Sequence, residues 1–348
     1  MSYLSTTGRY QMKTREGDFV ETCEDLIFDV KGLVHPANRV IAFVRYLPDE
    51  KGERKRNKVT YRKVYSLSNR YEVLRQKFPN YLIYDPVFDE TLCEVPVTNI
   101  RKRYKPAEKL QKLRHSKTLD KTESEALQLA ELLKERATIP WKMLGISGSI
   151  LVGLHTESSD IDAVVYGSDN CRKVHSVLNN FLKEQSEPFR SYNRKDLKGL
   201  FDFRSKDSAS DFASFVRTES RKVMQGKFMG RDYFMRFVKD WNELGEKYGD
   251  IQYRNVGVAK IQAAIADDSE AIFTPCVYKI DNTQILGGPK VGQIEEIVSF
   301  RGRFCEQARI GEIVIAQGKV ERVVDNRCSR EHFRLLIGNS PSDSMILA

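Results

Sequence analysis

A Gly-Ser pair, Gly148-Ser149, and an Asp-x-Asp triplet, Asp160-Ile161-Asp162, stand ten residues apart between two apolar runs. Few folds accommodate both features in that order. Trp141 to Ser147 reads as a buried strand that runs straight into the glycine, where the chain must turn. Glycine lets a backbone pass close to a bulky ligand, and the amides from Ser149 to Val152 open the next turn, where a phosphate would pair with them. After a polar loop, Leu154 to Ser159, the run Asp160 to Tyr166 has strand propensity and closes at Gly167. Strand alternation projects Asp160 and Asp162 from one face, about 7 Å apart, with Ile161 and Ala163 on the other. Two carboxylates so placed repel unless cations lie between them, and Mg²⁺ habitually bridges protein carboxylates to substrate phosphates. A pair of such ions clamps the attacking and leaving oxygens of an in-line phosphoryl displacement.

Gly148-Ser149, the ten-residue gap and Asp160-x-Asp162 together resemble the signature of the DNA polymerase beta nucleotidyltransferase superfamily, which includes CCA-adding enzymes, poly(A) polymerases and antibiotic nucleotidyltransferases. The motif-bearing match spans residues 140 to 185. More loosely, the whole chain is similar to uncharacterised archaeal proteins labelled predicted nucleotidyltransferases. The resemblance implies that Gly148 and Ser149 hold a nucleoside triphosphate such as ATP, and that Asp160 and Asp162 bind two Mg²⁺ ions. It also implies a third carboxylate on a neighbouring strand, commonly the group that takes the proton from the attacking hydroxyl. No second Asp-x-Asp marks it. Asp232 is the first choice, because Gly230-Arg231-Asp232 opens the strand-like run Tyr233 to Val238. Asp202, between Phe201 and Phe203, is an alternative, as is Asp267-Asp268 at the end of a later strand. For each, an ordinary surface aspartate at a strand end is the competing reading.

The expected fold class is α+β: a polymerase-beta-like nucleotidyltransferase core, a mixed sheet with helices, over residues 140–250, flanked by β-rich domains. Residues 1–100 read as a β-rich basic accessory domain, 101–139 as a basic linker and helix, and 251–340 as a β-rich C-terminal domain, a small barrel or a layered sheet. Residues 340–348 look like a loose tail. No apolar run nears the roughly 20 residues that span a bilayer, and Met1 to Thr7 has no signal-peptide pattern, so no membrane partner and a cytoplasmic location are expected. Six scattered cysteines without Cys-x-x-Cys suggest buried thiols rather than zinc sites or disulfides.

The net charge of +9 is concentrated: residues 1–120 hold 24 Lys and Arg against 16 Asp and Glu, eight of the nine net positive charges. One basic run contains Lys55, Arg56 and Lys58 and leads into Tyr61-Arg62-Lys63; another is Arg101-Lys102-Arg103-Tyr104-Lys105. Such runs are either a solvated face or a nucleic-acid footprint in which cations neutralise phosphates and the tyrosines stack on bases. A helix over 123–136 carries the capping-box pattern Thr122 to Glu125, and another over 169–183 buries one face against the motif sheet. A third, Ser208 to Met224, ends in Arg217, Arg221 and Lys222. Those cations read either as partners of a triphosphate or RNA backbone, with Arg221 and Lys222 as nucleotide-binding residues, or as ordinary charge offsetting a helix dipole.

The sequence thus points first to a Mg²⁺-dependent nucleotidyltransferase that moves a nucleoside monophosphate from an NTP to an acceptor hydroxyl, with RNA or tRNA as the preferred acceptor. The same chemistry on a protein or small molecule is one alternative; a non-catalytic RNA-binding protein with this fold is another.

Overall fold

The computed structural model describes residues 12–185, 187–204 and 211–348. Met1 to Thr7 and positions 208–210 of the third expected helix lie outside the described residues. The chain is α+β and forms two compact units, one of Met1–Tyr84, Thr91–Arg190 and Met224–Tyr248, the other of Asp85–Glu90, Ser191–Val223 and Gly249–Ala348. The N-terminal sheet and the motif sheet share a unit, and Ser191–Val223 joins the C-terminal strands.

In the first unit, β1 (Phe19–Thr22), β2 (Ile27–Val30), β3 (Arg39–Pro48), β4 (Arg54–Arg56), β5 (Val59–Lys63) and β8 (Ile100–Tyr104) form a sheet in the order β4-β5-β3-β2-β1-β8. Helix α1 (Leu67–Lys77) follows β5, and β6 (Leu82–Asp85) and β7 (Glu90–Pro96) extend the sheet from β3. The buried residues of β3 alternate as Val40, Ala42 and Val44, a one-sided pattern that presses Val20, Phe28, Val30 and Leu74 into a common core. The run Arg101 to Tyr104, expected in a linker, is instead edge strand β8, paired antiparallel with β1. Its cations point to solvent or to acids of β1, so it tolerates the charge that obscured it in the sequence.

The second sheet of this unit follows helices α2 (Pro106–His115) and α3 (Lys121–Ala137). Helix α3 is capped by Asp120, whose side chain accepts from the Glu123 amide at 2.9 Å, ahead of the expected capping box at Thr122. Then come β9 (Leu144–Ile146), the one-turn helix α4 (Gly148–Val152), β10 (Ile161–Tyr166), α5 (Ser168–Glu184), β11 (Phe189–Arg190), β12 (Gln225–Phe228) and β13 (Arg231–Val238). Their order is β11-β12-β13-β10-β9, with β10 and β13 parallel and the other pairs antiparallel. Helix α5 turns Cys171, Val174 and Leu178 inward. A cluster of Phe19, Ile27, Tyr46 and Tyr61 from the N-terminal sheet buries Leu151, Val152 and Leu154, fastening the motif turn to that sheet.

The second unit holds α6 (Arg194–Arg204), α7 (Phe212–Glu219) and strands β14 (Ile251–Glu270), β15 (Cys276–Gly287), β16 (Ile294–Ser299), β17 (Ile313–Asp325), β18 (Arg330–Leu336) and β19 (Ser344–Leu347). The path β14-β15-β16-β18-β17 returns to β14, so five strands close into a small barrel, with β16 and β18 its parallel pair. The expected loose tail is corrected: β19 pairs with β17 from Ser344 to Leu347. The third expected helix is shorter too, because Asp211 caps its start at Ala213 and Ser214 and a strand begins at Gln225. Cys93, Cys171, Cys276 and Cys305 are buried as expected, whereas Cys23 and Cys328 are exposed. Among the described residues no helix is long and apolar enough to cross a membrane.

Candidate functional site

The Gly-Ser turn and the Asp-x-Asp strand meet. Gly148 adopts φ +60°, and a Cβ there would lie 1.8 Å from Oδ2 of Asp162. Only glycine fits, both for its left-handed backbone and for the carboxylate packed against it. The Ser147 amide donates to the Asp162 carbonyl at 2.7 Å, and the Ser147 hydroxyl donates to the Gly17 carbonyl at 2.7 Å. Ser149 is 3% exposed and, among the described residues, its hydroxyl has no hydrogen-bond partner. A buried hydroxyl left unsatisfied costs about 1–3 kcal/mol.

Strand register places the acids. Ile161 pairs with Tyr233 and Asp162 with Phe234, and the same parallel register carried one residue back sets Asp160 beside Asp232. Asp160, Asp162 and Asp232 therefore share one face of the sheet. Asp160 and Asp162 are partly buried, while Asp232 is exposed and bound by Lys227 of β12 at 2.9 Å. Burial, then the charge of Asp160, push the Asp162 carboxyl up to about 7; Arg236, Lys63 and Arg45 act against that rise. Among the described residues no three His, Cys, Asp or Glu side chains are gathered to hold a metal ion. An all-oxygen pair, one member kept reluctant to ionise by its neighbour, fits Mg²⁺, which takes one or two protein carboxylates and completes its shell with water and phosphate.

The loop between turn and acids is anchored from two sides. Arg54 of β4 donates to the Leu154 carbonyl at 3.1 Å, to Thr156 Oγ1 at 3.3 Å and to Ser159 Oγ at 3.1 Å. Arg231 of β13 donates to the carbonyls of Glu157 at 2.5 Å and Ser159 at 2.8 Å and pairs with Glu125. His155 is held by Asp120 at 2.7 Å, a structural contact in the same loop. Further along the same sheet face, Arg236 binds Glu16 at 2.6 Å and Asp29 at 3.3 Å, and Lys31 binds the same two acids at 3.0 and 2.9 Å. Burial works against ionisation at Asp29, but Lys31 and Arg236 prevail and hold its carboxyl well below the usual range. Arg54, Arg236, Glu16 and Asp29 escaped the sequence reading because their partners are 100 or more positions away, or in the other sheet.

The assigned nucleic-acid residues are largely engaged elsewhere. Arg56 pairs with Glu21 at 2.8 Å, donates to Tyr104 Oη at 2.7 Å and reaches the Val152 carbonyl at 2.9 Å. Tyr104 and Arg101 both bind Glu21, Arg101 also binds Asp25, and Arg103 donates to the Lys13 carbonyl at 2.5 Å. Arg56 is partly buried and would pay for its desolvation without Glu21, whereas Arg101 makes its two ion pairs at the surface. Lys55 and Lys58 remain exposed. Arg221 and Lys222, expected to bind nucleotide, are likewise engaged within the fold. Arg221 forms a bidentate pair with Glu312 at 2.5 and 2.6 Å, and Lys222, buried, is met by Glu219 at 2.6 Å and Gln307 at 2.8 Å. Of the alternative third acids, Asp202 lies on α6 with Lys198 at 2.5 Å, and Asp267-Asp268 lie in β14, neither on the motif sheet. A concave pocket lined by Arg204, Phe215, Glu219, Gln307 and Met345 holds none of the motif residues, and its one acid, Glu219, is already paired with Arg204 and Lys222.

The uncharacterised protein MJ1086 of Methanocaldococcus jannaschii is 32% identical over 344 residues, a match covering 94% of this chain and 96% of that protein. No family model matches the chain, and no solved structure matches it.

Proposed function

As a chain that belongs to the family of Methanocaldococcus jannaschii MJ1086, this protein is, we propose, a Mg²⁺-dependent nucleotidyltransferase with a polymerase-beta-like core. It moves a nucleoside monophosphate from an NTP to an acceptor hydroxyl. The observation that carries the reading is the contact of Gly148 with the Asp162 carboxylate beside an unpartnered, buried Ser149 hydroxyl. Polyphosphate and acid pair then occupy adjoining positions, as in-line transfer requires.

In this reading Ser149 donates to the triphosphate. Asp160 and Asp162 hold the metals, which when bound supply charge stabilisation to the reacting oxygens. Asp232, on the same face and exposed, accepts the proton of the incoming hydroxyl once Lys227 is displaced. Arg54 and Arg231 keep the loop before Asp160 in place, which is positioning rather than chemistry.

The engagement of Arg56, Arg101, Arg103 and Tyr104 within the fold shifts the acceptor away from RNA and toward a protein or small-molecule hydroxyl. Cytoplasmic location remains part of the reading. Incubation with each α-³²P NTP, Mg²⁺ and total RNA, cell protein or neither should label one acceptor class. Asp160→Asn should cut that transfer about a thousandfold with unchanged circular dichroism. Equal transfer by the variant would refute the site. An RNA acceptor would announce itself by a KM that climbs steeply with salt.

A further inference from the structure

Two cations of the N-terminal sheet, Lys63 and Arg45, stand beside the ring of Tyr65. Lys63 closes β5 on the same side as Tyr61, two residues before it, and Tyr61 packs with Leu151, Val152 and Leu154 of the motif turn. Lys63 also pairs across to Tyr46, another member of that cluster. Arg45 is reached differently. Ile27 pairs with Tyr46 but Phe28 pairs with Val44, so Arg45 is the extra residue of a β-bulge between β2 and β3. A bulge re-aims the side chain it carries. Both cations flank one ring, with Lys63 Nζ 4.9 Å and Arg45 Cζ 5.6 Å from the centre of Tyr65. Among the described residues neither forms a salt bridge, whereas Arg54, Arg56, Lys31 and Arg236 nearby all do.

We propose that Lys63 and Arg45 form the polyphosphate-binding wall of the site, so that the triphosphate of the nucleotide lies between the N-terminal sheet and the Gly148-Ser149 turn. This rests on the nucleotidyltransferase reading and names the residues that would grip its substrate. Two partly buried cations side by side, without a carboxylate in contact, repel one another until an anion joins them. Burial, then the charge of Arg45, lower the Lys63 ammonium to about 8, against the pull of Asp160 and Asp162. A polyphosphate would relieve that repulsion while its metal ions satisfied the two aspartates. The N-terminal sheet then belongs to the active site instead of serving as a separate polynucleotide grip.

The test is equilibrium binding of inorganic tripolyphosphate, and of a Mg²⁺ complex of a non-hydrolysable NTP, to the full chain. Lys63→Met should weaken both about tenfold or more, Arg45→Gln likewise, and Lys63→Arg should stay within about threefold of wild type. Should Lys63→Met fail to fold, Arg45→Gln carries the same readout. Undiminished tripolyphosphate binding by folded Lys63→Met and Arg45→Gln would make these cations mere counter-ions of the aspartates and overturn the inference, leaving the nucleotidyltransferase reading standing. Absence of any tripolyphosphate or Mg-nucleotide binding by the wild type would overturn both.

Discussion

Each unit buries a knot of charge, and the two knots are tied differently. In the barrel, Glu321 receives Arg334 at 2.7 Å and Lys319 at 2.7 Å, Lys319 also binds Glu90, and the Arg334 guanidinium lies 3.9 Å over the ring of Tyr253. Burial alone would raise the Glu321 carboxyl, yet Arg334 and Lys319 outweigh it and keep that carboxyl low. Every acid there has its base. Beside the Gly-Ser turn, Asp160 and Asp162 share one face of the sheet, Arg45 and Lys63 flank the ring of Tyr65 without a salt bridge, and among the described residues the Ser149 hydroxyl has no partner. Complete pairing marks charge that holds a fold together. Incomplete pairing, stabilised by the surrounding packing, marks charge held in readiness for a ligand.

The contrast can be broken by substitution. In the barrel, Glu321→Gln strips Arg334 and Lys319 of their shared acid, and the chain should lose about 3–4 kcal/mol of stability in denaturant titration, with nucleotide binding unchanged. A loss under 1 kcal/mol would mean the knot is not structural. His35 sharpens the comparison from within the first unit. Its Nε2 contacts the Thr14 carbonyl at 3.1 Å and its Nδ1 accepts from the Ile41 amide at 3.3 Å, so the buried ring is satisfied only when neutral. Burial depresses it to about 4. The unfolded chain therefore takes up this proton first, and stability contributed above pH 6.5 should fade as pH drops toward 4, by up to about 3 kcal/mol. His35→Gln should flatten that slope. The smallest effect has the opposite sign. At pH 8 without divalent cations, Asp162→Asn removes a disfavoured charge and should raise stability by about 1 kcal/mol while abolishing transfer; a destabilised variant would place Asp162 with the structural charges.

What the sequence disclosed follows from locality. Gly148, Ser149, Asp160 and Asp162 could be read because turn chemistry and strand alternation act over a few residues, and the same is true of α5 with its inward Cys171, Val174 and Leu178. Asp232 could be placed only as a strand opening; its seat beside Asp160 depends on a parallel pairing across 70 residues. The partners of the basic runs were not legible because charge alone does not say which side of a strand it occupies. Arg54 and Arg56 alternate with exposed Lys55 on a three-residue strand, and each points inward to carbonyls about 100 positions downstream. The partners of Arg221 and Lys222 were hidden for the same reason, the acids Glu312 and Glu219 being supplied by the second unit's own fold. No local pattern announces the bulge at Arg45, since it exists only as a mismatch between two strands.

Arg54 reaches from the N-terminal sheet into the loop that delivers Asp160, and the Ser147 hydroxyl reaches back to Gly17. A shortened gene beginning at residue 101 would keep the whole sequence signature yet leave the carbonyls of Val152 and Leu154, and the apolar side of α4, without their covering. Dissection of this chain into a motif fragment and a separate N-terminal fragment is thereby closed off: the shortest piece able to hold its acids in register already includes the first sheet.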